Sequence, residues 1–185
     1  MNKIQFKTLF KTKIADTITP VGLYLRFRDK YANTLLLESS DYHSKEESFS
    51  FIAIEPVVTV KAENHHLSFS HKDVELESQE IGRNFNSIFE SYSQAIDLDC
   101  PSELKGFNGL YGYTTYDSVQ YFENITLNVD EAPSAIPLMQ YSFYRFIIAI
   151  NHFNDEMTLI ENVEAGTESR IKEIQTIIDA QAFNT

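Results

Sequence analysis

Leu35-Leu36-Leu37-Glu38-Ser39-Ser40, with its sequel Ser48-Phe49-Ser50-Phe51-Ile52-Ala53-Ile54-Glu55-Pro56, is the stretch that decides how the chain is read. Three successive leucines fit a strand buried on both faces, where the alternation of apolar and polar residues is lost. A carboxylate and two hydroxyls follow at the strand's end. Such a cluster can hold the charged end of a small ligand whose body lies in an apolar slot. Equally, Glu38, Ser39 and Ser40 can simply open the polar loop that runs to residue 47, because serine is a turn former. Residues 49–54 form the next strand, apolar except for Ser50, and Pro56 is expected to break it.

The surrounding chain suits a packed protein. Of its 185 residues, 43% are hydrophobic and 13% aromatic, a composition outside the disordered range. Lys+Arg number 15 against 27 Asp+Glu, a formal net charge of -12, which repels phosphate backbones and excludes nucleic acid as a partner. Cys100 has no second cysteine to pair with, which points to a reducing compartment. The lysine-bearing first twenty residues lack the apolar core of a signal peptide. No apolar run approaches the ~20 residues of a spanning helix. The expectation is a cytoplasmic protein without a membrane partner.

Residues 1–15 read as an edge strand guarded by lysines. Thr19-Pro20 reads as N-cap and first position of a helix whose face is Val21, Tyr24, Leu25 and Phe27. Beyond Pro56, residues 57–62, 67–70 and 74–77 form an antiparallel meander turning at Asn64-His65-His66 and His71-Lys72-Asp73. Ile81, Phe85, Ile88, Phe89, Tyr92 and Ala95 make one stripe of a helix placed over 79–96. Gly106, Gly109 and Gly112 punctuate Phe107-Asn108-Gly109-Leu110-Tyr111-Gly112-Tyr113-Thr114-Thr115-Tyr116-Asp117; a glycine within a strand marks a bulge or the close approach of another backbone. Residues 119–123 turn helical briefly, and a loop runs to Pro137. Residues 140–153 and 157–162 form a hairpin, and Thr167 caps a last helix carrying Ile171, Ile174, Ile177 and Ile178. The whole is one α+β unit: a mostly antiparallel sheet of roughly eight or nine strands with about three main helices.

No catalytic centre emerges from the residues alone. His65, His66 and His71 lie close in sequence, yet read as an exposed turn without cysteine support rather than a zinc site. His43, His152 and Cys100 belong to no catalytic motif. Asp117 and Glu123 sit among aromatics, where burial raises a carboxyl pKa, although packing with the carboxylates in water explains them as well. No phosphate loop, dinucleotide fingerprint or nucleophile elbow occurs.

Four segments together resemble the N-terminal domain of anthranilate synthase component I: Thr19-Pro20-Val21 with its helix, Leu36-Leu37-Glu38-Ser39, Ser50-Phe51-Ile52 with Pro56, and the glycine-tyrosine strand from Phe107 to Asp117. The hairpin over 140–162 fits the family's return strands, and the resemblance covers essentially the whole chain. It implies the N-terminal lobe of the family's α/β sandwich. The larger C-terminal catalytic domain, which binds chorismate and Mg2+, is expected to be absent, leaving no catalytic residue, metal or cofactor in this chain.

The resemblance further implies a lobe for feedback inhibition by L-tryptophan, with Leu37, Glu38 and Ser39 in the tryptophan-binding site. The partners it implies are the catalytic domain and a glutamine amidotransferase, component II. The whole enzyme is a lyase of tryptophan biosynthesis, making anthranilate and pyruvate from chorismate with ammonia or glutamine. The sequence departs from the family at Ser48, where many members carry Arg or Lys that could meet the ligand carboxylate, and at Ala53, usually glycine. Two other readings remain: the N-terminal domain of aminodeoxychorismate synthase component I, of the folate pathway, and a stand-alone small-ligand-binding module.

Overall fold

The computed structural model describes residues 3–38, 48–123, 125 and 136–180. Nine strands and three α-helices are present among them: β1 (Ile4–Ile14), α1 (Pro20–Arg28), β2 (Leu35–Glu38), β3 (Phe49–Glu63), β4 (His66–His71), β5 (Val74–Glu80), α2 (Phe85–Gln94), β6 (Ile96–Asp99), β7 (Leu110–Thr114), β8 (Met139–Asn151), β9 (Glu156–Glu164) and α3 (Ile171–Asp179). The expected α+β class and element count hold, and the pairings β1–β9, β2–β3, β3–β4, β4–β5, β7–β8 and β8–β9 are antiparallel. Contacts divide the chain into one unit of Met1–Ile4, Val57–Asp97 and Leu110–Phe143 and another of Gln5–Pro56, Leu98–Gly109 and Tyr144–Thr185. β3 and β8 are long enough to contribute to both.

In the first unit the meander forms as expected, with Val58–Glu63 of β3 paired to β4 and β4 to β5. Both hairpin turns place two residues in the left-handed region: Asn64 and His65 at φ 50 and 60, Lys72 and Asp73 at φ 49 and 63. That twist matches the strands it joins. α2 is shorter than the stripe suggests. Gln79 and Glu80 remain in β5, and Ile96 opens β6, because apolar spacing alone does not distinguish a helix end from the strand that continues it. The stripe itself is right, with Ile81, Phe85, Ile88, Tyr92 and Ala95 buried. Tyr92 packs 5.4 Å from Phe69 and donates its hydroxyl to the Leu67 carbonyl. β7 pairs with β8 so closely that a Cβ on Gly112 would stand 1.9 Å from the Gln140 carbonyl oxygen. The expected backbone approach is therefore real at this glycine. Gly106 and Gly109 would meet nothing within 4 Å. After β7 a 3-10 turn runs over Tyr116–Tyr121.

The second unit carries the order β2-β3-β8-β9-β1-β6. β1 is thus an interior strand rather than an edge. Its Lys11 and Lys13 donate to Gln175 and Asp179 of α3 instead of guarding an open side. Thr19 caps α1 as expected, its hydroxyl accepting from the Gly22 amide with Pro20 at the first turn. The buried face is Leu23 and Phe27, however, while Val21 and Leu25 are exposed. Leu23 and Phe27 join Ile52, Ile54, Phe146, Ile148, Ile150, Met157, Leu159, Ile171, Ile174 and Ile178 in one core. Burying each such side chain contributes about 1.5–3 kcal/mol.

Pro56 does not end β3. It falls between the ladder to β2, which stops at Ala53, and the ladder to β4, which starts at Val58, so its missing N–H interrupts neither. Glu55 absorbs the irregularity with φ 63. Thr167 does not cap α3 either. The helix starts at Ile171, and Thr167 donates to the Glu164 carbonyl.

Candidate functional site

β2 is the element that brings the proposed ligand residues into place, and it is not buried on both faces. Among the described residues it pairs only with β3, Leu35 and Leu36 being half-buried and Leu37 and Glu38 exposed. Four residues at a sheet margin cannot be covered as a central strand is. Leu37 stands opposite Phe51 and Glu38 opposite Ser50. Successive side chains of a strand point to opposite faces, so Leu37 and Glu38 do not share a wall. Ser39, the third predicted ligand residue, lies outside the described residues, as do Ser40 and His43.

Each face has its own chemistry. On the Leu37 side, Phe49 and Phe51 stand with Phe107, ring centroids 5.0–6.0 Å apart. Phe107 is held by its neighbour Asn108, whose amide donates to Thr8 and Asn162 and accepts from Asn162. Thr8 and Asn162 are themselves buried, so this polar knot is satisfied internally. On the Glu38 side, Ser50 is fully buried and its hydroxyl lies 2.8 Å from His152 Nε2. The His152 amide donates to the Ser48 carbonyl. His152 is exposed.

Ionic chemistry gathers at the Glu55 irregularity, a grouping that sequence reasoning missed. Glu161 has no exposed surface, yet accepts from Arg145 Nε and Nη2, from the Ser169 hydroxyl and from the Arg170 amide. That last bond places a carboxylate at the start of α3, where it meets orphan N–H groups and the positive end of the helix dipole. Arg170 donates twice to Glu55 and twice to Glu173, and the guanidinium pKa is raised, chiefly by Glu173. Hydrogen bonds from Arg170 and then from Tyr31 hold the Glu173 carboxyl at about 2. Burial, followed by the bond to Glu173, pushes Tyr31 up to about 12. The arrangement is a clamp between sheet and helices, since all of its charges are paired. Arg145 and Glu161 interrupting apolar strand runs were its visible signal, because a charge in such a run must find a partner.

The remaining candidates carry no chemistry. Asp117 and Glu123 are exposed, so the packing explanation stands. His66 Nδ1 bonds the Asn64 carbonyl, and His65 lies 3.4 Å from the Tyr121 hydroxyl. No group of three His, Cys, Asp or Glu among the described residues is placed to hold a metal ion. No described helix is long and apolar enough to cross a membrane.

These features define a sheet-dominated α+β chain with a short marginal strand as its candidate ligand element. The same fold occurs in the crystal structure of anthranilate synthase component I from Streptococcus pneumoniae TIGR4, which superposes on 90% of this chain and 35% of its own with a TM-score of 0.51 at 21% identity. In sequence, the chain is similar to anthranilate synthase component 1 of Lactococcus lactis subsp. lactis, 28% identical over 90% of this chain and 34% of that protein. It is 26% identical to the Pseudomonas putida protein of the same name, over 88% of this chain and 33% of that one. The chain therefore spans about a third of the curated relatives it matches. No family model matches it.

Proposed function

We propose that this chain is the N-terminal regulatory lobe of an anthranilate-forming enzyme and that it binds L-tryptophan beside β2. The observation that carries the reading is similarity over nine-tenths of this chain to only a third of anthranilate synthase component 1. That proportion suits one lobe of a larger enzyme. The exposed Glu38 carboxylate at the end of β2 suits the ammonium group of such a ligand, while the rings of Phe49, Phe51 and Phe107 lie on the opposite face with Leu37 and are left out of this contact. Chorismate, magnesium, the elimination of pyruvate and the encounter with a glutamine amidotransferase are assigned to the catalytic portion and the assembled enzyme, acting in the cytoplasm.

Two measurements test this. Incubated with chorismate and ammonium, the 185 residues alone give no anthranilate; turnover would overturn the assignment. Calorimetry with L-tryptophan gives weak binding, because the resemblance implies that part of the pocket belongs to the catalytic portion. Tight binding would show a self-contained site, and no heat at millimolar ligand would remove the regulatory reading.

A further inference from the structure

We propose that His152, held by the buried Ser50, receives the carboxylate of an α-amino acid whose ammonium group is met by Glu38. The inference rests on the amino-acid-binding reading above and adds a residue from a distant part of the chain. Three adjacent strands lay out the row. Glu38 of β2 is the cross-strand partner of Ser50 in β3, and Ser50 Oγ lies 2.8 Å from Nε2 of His152, the residue that follows β8. Cross-strand partners share a face with their Cβ atoms ~5 Å apart, so carboxylate and imidazole flank the hydroxyl.

Burial separates the roles. Ser50 is fully buried and cannot reach a ligand; what it can do is fix the ring. The backbone bond from the His152 amide to the Ser48 carbonyl, 2.9 Å long, fixes the main chain beneath it. Glu38 and His152 are both exposed. Neither the Glu38 carboxylate nor His152 Nδ1 has a partner among the described residues. When the Ser50 hydroxyl donates to Nε2, the imidazole proton resides on Nδ1 and is free to donate outward. One acceptor of negative charge and one N–H donor, on either side of a closed hydroxyl, match the two ends of an amino-acid head group. Ser50 is thus a positioning residue, and His152 and Glu38 are the binding residues.

The chain contains no tryptophan, so indole fluorescence reports an added ligand without background from the protein. Three probes separate the two arms: L-tryptophan, tryptamine without the carboxylate, and indole-3-propionate without the ammonium. In His152→Ala, affinity for L-tryptophan and indole-3-propionate falls about tenfold, as for a lost hydrogen bond to a charged group, while tryptamine is unaffected. In Glu38→Gln, L-tryptophan and tryptamine weaken and indole-3-propionate does not. Ser50→Ala follows the His152→Ala pattern more mildly, and His152→Gln, which keeps an N–H, recovers part of the loss. Uniform weakening of all three probes, or no weakening of any, in both His152→Ala and the surface variant Glu38→Gln overturns the inference, while binding of L-tryptophan by the unaltered chain still supports the regulatory reading. If the unaltered chain binds none of the probes, the regulatory reading falls and this assignment with it.

Discussion

Glu161 shows what a single residue can hold together. With no exposed surface it takes four hydrogen bonds, two from Arg145 and one each from Ser169 and the Arg170 amide. A carboxylate buried this way is stabilising only while every partner remains, because removing one side strands a charge out of water. Glu161→Gln offers one acceptor oxygen and turns donors toward donors. It is expected to lower the free energy of unfolding by about 3–5 kcal/mol, read from the urea midpoint. Pairing Glu161→Leu with Arg145→Met recovers part of that loss, since apolar replacement of both partners removes the stranded charge. A midpoint unchanged in Glu161→Gln would show that the clamp carries no stability. Arg145 and Glu161 each signalled the need for a partner, but which partner was illegible, because sequence spacing says nothing about which strands lie side by side. Glu55, Arg145 and Glu161 are distant in sequence and are gathered by the β3-β8-β9 order, and α3 with its N-cap then adds Arg170 and Glu173. Leu37 and Glu38, by contrast, were legible as strand-end residues; their placement on opposite faces follows from the pleat once β2 is known to end at Glu38.

At the scale of elements, two contacts make separate predictions. The Tyr31–Glu173 hydrogen bond joins the segment after α1 to α3 and fails at both ends of the pH range. Glu173 titrates lower in the folded chain, so its contribution is complete above the ordinary carboxylate range and is lost as pH falls toward about 2. Tyr31 titrates higher, so its contribution is complete below the ordinary phenol range and is lost as pH rises through about 12. Both side chains are partly solvated, and the pair is worth under ~1 kcal/mol. Glu173→Gln should therefore differ from the unaltered chain in thermal midpoint at neutral pH and converge with it near pH 2; a constant gap would refute the assignment. The β7–β8 contact is harsher. Gly112→Ala drives a methyl into the Gln140 backbone and should cost about 3 kcal/mol or prevent folding. Gly106→Ala and Gly109→Ala, with open space around them, stay within ~0.5 kcal/mol. Equal effects at all three glycines would mean that the close approach is absent. That glycine-marked approach was readable in advance, whereas the ends of α2 were not. Gln79, Glu80 and Ile96 satisfy helical spacing and strand pairing alike, and pairing partners decide between them.

At the scale of the molecule, charge and apolar surface oppose each other. The formal net charge of -12 keeps copies apart at low ionic strength. Yet Tyr116, Ile14, Val74 and Phe153 are 82%, 73%, 61% and 60% exposed, apolar surface that contact with another copy would take out of water. Salt alters only one side of this balance: the screening length falls to about 10 Å at 0.1 M and about 3 Å at 1 M, while apolar attraction persists. Self-association should therefore grow with salt, seen by light scattering as a mass near that of one chain in dilute buffer and a rising mean mass toward 1 M sodium chloride. Association that weakens with salt would instead show that charge pairing holds the copies together. A single-chain mass under both conditions at high protein concentration would show that these side chains are dispersed rather than cohesive. The result also bears on the proposed lobe, since a surface that meets a catalytic portion in the assembled enzyme would account for apolar groups left in water when these residues stand alone.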